Sequence, residues 1–85
     1  MEYYIAVFKS RTEALYYVNN LKRNQIHAFL IPTPKEVGRT CGLSVKIDVN
    51  YFDEANFILS RLRPTSFVGW YGYREDNGQK IIVRG

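Results

Sequence analysis

The chain reads as strand, helix, strand, strand, helix, strand and a last strand, which predicts an α+β fold: a ferredoxin-like split βαβ sandwich (βαββαβ) with an extra C-terminal hairpin strand. Three observations predict it. Two segments carry apolar residues at helical spacing, Leu43 to Asp48 alternates apolar and polar residues with a period of two, and Asp76, Asn77 and Gly78 supply turn chemistry between two terminal β-type runs. At 85 residues, 46% of them hydrophobic, the chain can build one core, so residues 1–85 are expected to be a single domain.

Tyr3 to Phe8 is an unbroken aromatic and aliphatic run, the composition of a strand buried on at least one face. Ser10 and Glu13 have the spacing of a capping box, and Ala14, Leu15, Val18 and Leu21 then mark an amphipathic helix ending near Asn24. Ile26 to Ile31 reads as extended and stops at Pro32. In the third strand Leu43, Val45 and Ile47 face a core, while Ser44, Lys46 and Asp48 face water. A second helix starts after Asn50, with Asp53 and Glu54 in its first turn and Arg61 and Arg63 in its last, and Pro64 stops it. Phe67 to Arg74 and Lys80 to Arg84 complete the hairpin.

Lys and Arg number 12 against 8 Asp and Glu, a formal charge of +4, with no run of like charge long enough to mark a polybasic arm. Single-strand RNA readers of this topology stack bases on outward rings of the third strand, and here those positions are Ser44, Lys46 and Asp48, so nucleic-acid binding is a minor alternative. No long apolar stretch suggests a membrane span or a secretory leader, and the expected address is the reducing cytoplasm. One cysteine and the lone His27 lack the spacing of a metal site, so neither a metal nor a cofactor is expected.

The segment from Pro32 to Gly42 holds that cysteine. Thr33, Pro34 and Glu36 have the spacing of a helix start, Gly38 ends the turn, and Cys41 follows on the connection. The topology is expected to set this loop at the end of the sheet away from the two helix starts. Lys35 and Arg39 are cations able to raise the thiolate fraction of Cys41, and Gly42 leaves room for a partner's backbone. The residues alone leave two readings open: a reactive loop thiol, or a small hydrophobe tucked under the loop.

From Tyr4 to Leu62, and most specifically at Ile31, Pro32, Thr33, Pro34, Lys35, Glu36 and Val37 followed by Thr40, Cys41 and Gly42, the chain resembles the selenium/sulfur carrier protein-like family. The resemblance implies that Cys41 is the carrier residue, with Gly42 its neighbour in the motif. It further implies no enzymatic turnover, and donor and acceptor proteins of sulfur or selenium as partners. The aromatic tail from Phe67 lies outside the matched part.

A second reading is a docking or regulatory module without chemistry. Tyr3, Tyr4, Phe67, Trp70, Tyr71 and Tyr73 would then form an aromatic patch on a sheet face left open by the helices, and a homodimer or a partner would cover it.

Overall fold

The computed structural model describes residues 2–37, 42–76 and 79–84, and their side chains except those of Glu36, Tyr73, 75–76 and 79–84. Five strands, β1 (Glu2–Phe8), β2 (Ala28–Pro32), β3 (Leu43–Asp48), β4 (Phe67–Asp76) and β5 (Gln79–Arg84), form one antiparallel sheet in the order β2-β3-β1-β4-β5. Two helices, α1 (Arg11–Arg23) and α2 (Phe52–Leu62), complete an α+β architecture. The turn residues Asn77 and Gly78 lie outside the described residues, although the strands on either side pair as a hairpin.

The central strand is β1, and its sequence explains its position. Ile5, Ala6, Val7 and Phe8 are all fully buried, which requires cover on both sheet faces. Ala6 and Phe8 pack with the helices, against Tyr17, Val18, Leu21, Ala55 and Leu59. Ile5 and Val7 point the other way and meet Tyr3, Ile31, Val37, Val68 and Tyr71. The far face is therefore not simply open, because the chain folds its own 32–37 segment over part of it. Ser44 is fully buried beneath that cover, which corrects the expectation that Ser44 lies on a wet face; Lys46 and Asp48 are half-buried there.

The helix starts depart from local rules where distant segments offer better partners. Ser10 Oγ accepts from the Glu13 amide at 3.2 Å, so half of the expected capping box forms. The other half is tertiary. The Glu13 carboxylate accepts from the amides of Ser66 at 2.7 Å and Thr65 at 3.1 Å, and Ser66 Oγ accepts the Ser10 amide at 3.1 Å. The start of α1 is thus tied to the turn before β4. At the other end, Asn24 closes α1 and Gln25 takes a left-handed φ of 63°, after which β2 begins at Ala28, two residues later than expected. The intervening Ile26 gives its amide to Leu21 at 2.9 Å instead of to a strand. A 3₁₀ turn, Val49–Tyr51, carries β3 into α2, with Asp48 Oδ1 accepting the Asn50 amide at 2.8 Å.

Hydrogen bonds from the Ser66 hydroxyl, then the Ser66 amide, with further ones from Thr65, hold the Glu13 carboxyl below its ordinary 4.5. A carboxyl whose folded value is depressed binds protons less readily in the folded state. Its stabilisation is therefore complete above pH 4.5 and is lost as pH falls through the folded value. Urea unfolding across this acid range should show a falling stability in the native chain and a flatter profile in Glu13→Gln; equal slopes would mean that the carboxylate does not hold the 65–66 turn.

The helix-side core is aromatic. Trp70 is packed edge-on against Phe52 at 5.0 Å, Phe67 at 6.1 Å, Tyr4 at 6.4 Å and Tyr17 at 6.5 Å between ring centroids. Its indole N–H donates to Asn56 Oδ1 at 3.0 Å, so the polar edge of a buried ring is satisfied. Tyr17 does the same through its hydroxyl, which donates to the Ala55 carbonyl at 2.7 Å, and burial pushes this phenol far above its ordinary value.

Candidate functional site: the β2–β3 loop

The loop begins where Pro32 ends β2, and its first described contact is made by Thr33. The Thr33 hydroxyl donates to the Gly42 carbonyl at 3.1 Å and lies 3.0 Å from Ser44 Oγ. Thr33 has one hydroxyl proton, and with that proton on Gly42 the Ser44 hydroxyl becomes the donor to Thr33 Oγ1. Ser44 is thereby satisfied in its buried position, and the two ends of the loop are joined across the β2–β3 pair. This differs from the expected capping role, in which Thr33 serves the turn that follows it.

Half-buried Pro34 leads into that turn, which is a 3₁₀ helix over Lys35–Val37 and not an α-helix. It is closed by the Val37 amide bonding the Pro34 carbonyl at 3.1 Å. Lys35 is exposed, whereas Val37 anchors the turn on Ile5 and Val7. Arg39, Thr40 and Cys41 lie outside the described residues.

Gly42 marks where the chain returns. It is buried against the end of β1, and a Cβ built on it would be driven into the Phe8 carbonyl oxygen and meet the Lys9 Cα at 3.0 Å. The backbone that comes close to Gly42 is therefore the chain's own, not the partner backbone expected from the sequence.

This contact also corrects the expected place of the loop. Ser44 pairs with Val7 near the end of β1, and Asp48 pairs with Tyr3 near its beginning. Thr33 and Gly42, the two ends of the connection, thus lie at the same end of the sheet as the start of α1, whereas α2 starts at the opposite end.

The proposed aromatic patch is divided by the sheet. Tyr4 and Trp70 belong to the helix-side core, and Trp70 is 8% exposed. Tyr71 lies on the far face, half-buried against Ile5 and Val7, and Tyr3 stacks beneath the Lys46 ammonium, 4.3 Å from the ring centre. Tyr73 pairs with Tyr3 along the backbone, and its side chain is outside the described ones. Exposed apolar rings occur elsewhere, at Phe29, Tyr16 and Phe57. Phe57 borders an open groove of about 570 Å³ between α1 and α2, to which the 32–42 segment contributes no described residue. Among the described residues no three potential metal ligands come together, and no helix is long and apolar enough to cross a membrane.

Sequence reasoning missed Ser44 and the end of β1 as parts of this site. The only local signal was the glycine directly before a regular strand, which marks a close backbone approach as readily as a flexible joint.

An antiparallel sheet flanked by two helices, with the β2–β3 connection pinned at Thr33 and Gly42 and the only cysteine of the sequence just before Gly42, defines a small α+β protein. The family described as "Putative Se/S carrier protein-like" matches residues 3–63, and the chain belongs to that family. No curated protein matches the chain, and no solved structure does.

Proposed function

We propose that this protein is a stoichiometric carrier that holds sulfur or selenium on Cys41 and hands it from a donor protein to an acceptor, without turnover on a small molecule. The observation that carries this reading is family membership over the segment that contains the one cysteine of the chain. We also read the strand order, taken as β4-β1-β3-β2, as a ferredoxin-like sandwich with β5 appended.

For sulfur the transfer needs no outside oxidant. The Cys41 thiolate attacks the outer sulfur of a donor persulfide, a new S–S bond forms as the donor's S–S bond breaks, and the electron pair leaves with the donor thiolate. The carried proton stays on the outer sulfur, so Cys41 becomes a persulfide. An acceptor thiolate then repeats the exchange, and selenium follows the same bond changes. A reducing compartment such as the cytoplasm suits a thiol used this way. The exposed Lys35 and the first turn of α1, at the loop's end of the sheet, both favour negative charge nearby.

The docking reading is weakened at Tyr4 and Trp70, which pack in the helix-side core, while Tyr71 lies half-buried on the far face. Incubation with a cysteine desulfurase and cysteine should add the mass of one sulfur atom to the intact protein. The gain should be removed by a reductant and be missing in Cys41→Ser. An unmodified chain whose Cys41 also resists alkylation while folded would sink the carrier reading.

A further inference from the structure

We propose that the outer edge of β2 is a docking strand for an extended acidic segment of a partner protein, which adds to the sheet beside β2. This rests on the carrier reading for its purpose, since β2 leads directly into the 32–42 loop, but its physical basis is separate.

Among the described residues β2 pairs with β3 alone, and that pairing runs from Ala28 to Pro32 without a bulge. Natural edge strands are usually blunted by charges, a mid-strand proline or an irregular register. Here Ala28, Phe29, Leu30 and Ile31 carry no charge, the proline comes last, and Phe29 is 57% exposed. An extended chain laid along such an edge gains backbone hydrogen bonds and sets alternate side chains against the flanking surface.

The flanking charge selects the occupant. An open depression of about 330 Å³ at the start of β2 is lined by Lys22, Gln25, Ile26, His27, Ala28 and Phe29, with no carboxylate among them. Arg23 is exposed on the same end of α1, and Lys35 is exposed beyond the other end of β2. Asp48, the nearest acidic residue along β3, is engaged as the cap of the 49–51 turn. A second copy pairing antiparallel through β2 would bring Lys22 and Arg23 of one chain toward Lys35 of the other, cation against cation. An extended segment carrying Glu or Asp meets Lys22 and Arg23 at one end of the edge and Lys35 at the other. A nucleic-acid strand matches the charge but cannot continue the strand's backbone hydrogen bonding.

The test uses the full chain, isotope-labelled for amide NMR, and a capped six-residue peptide alternating glutamate with valine. The peptide should shift and protect the amides of 28–31, and binding should weaken about tenfold when its glutamates become lysines or when the chain carries Lys22→Glu with Arg23→Glu. The neutral pair Lys22→Gln with Arg23→Gln should fall between, with the remaining resonances in place as evidence of an intact fold. Methylating alternate peptide amides should abolish binding.

Unshifted 28–31 amides, equal binding by the methylated peptide, or indifference to charge reversal would each overturn the proposal. So would β2 shifts that grow with protein concentration in the absence of peptide, which would identify the occupant as a second copy. The titration is repeated on Cys41→Ser. Peptide binding there alongside failed sulfur loading of the native chain defeats only the carrier reading, and loading without peptide binding defeats only the edge.

Discussion

Gly42→Ala should destabilise the protein by about 3 kcal/mol or more, the upper range for forcing extra volume into a packed site. The atoms that a Cβ would meet are the Phe8 carbonyl and the Lys9 Cα, all backbone, so no side-chain rotation makes room. Either the end of β1 withdraws from β3, or the Thr33 hydrogen bond to the Gly42 carbonyl is given up. Urea unfolding should report a lower midpoint with an unchanged slope. Lys35→Ala, at an exposed neighbour, should stay within about 0.5 kcal/mol of the native chain. If Gly42→Ala instead left stability intact and only slowed sulfur transfer, the glycine would be there for a partner.

Trp70→Ala should cost about 3–5 kcal/mol, the range for removing a large buried aromatic side chain. The indole touches rings from β1, α1, α2 and the start of β4, so its loss opens a void shared by every layer of the helix side. It also leaves Asn56 without its donor. Small domains have a total stability of about 5–15 kcal/mol, so the variant should be partly unfolded at moderate temperature, measured by circular dichroism. The contrast with the docking reading is sharp. A surface anchor truncated to alanine would leave stability within about 0.5 kcal/mol and remove association.

The elements were largely legible because their signals are local. The alternation through β3 and the apolar spacing of α1 and α2 each persist over enough residues to fix the period, and the β3 bounds agree at both ends. The faces were harder. Tyr3 and Tyr4, like Trp70 and Tyr71, are consecutive in a strand and must point to opposite sides, so a single patch containing all four was excluded by the pleat itself. The composition of those residues had suggested otherwise.

What the sequence hid was pairing between remote segments. Glu13 has the spacing to cap its own helix, yet it binds Thr65 and Ser66; Thr33 has the spacing to cap its own turn, yet it binds Gly42 and Ser44. In both cases a short polar side chain chose a partner brought near by the sheet. Local spacing identifies residues that need a partner and does not say which one they find. For the candidate site, the loop ends became visible in this way, while Arg39, Thr40 and Cys41 are outside the described residues.

The position of β1 has a consequence for how the chain comes to be. It precedes β3 and β4 in the sequence, yet it is flanked by both, and Glu2 finds Arg74 only across the intervening strands and helices. Contacts so distant in sequence are slow to close, and an apolar strand waiting for both neighbours is exposed to wrong ones. The family segment that ends at residue 63 stops before β4 is reached, so by itself it leaves one edge of β1 unpaired. Whatever work the loop performs, it is supported by a central strand whose second neighbour, β4, lies beyond the family segment.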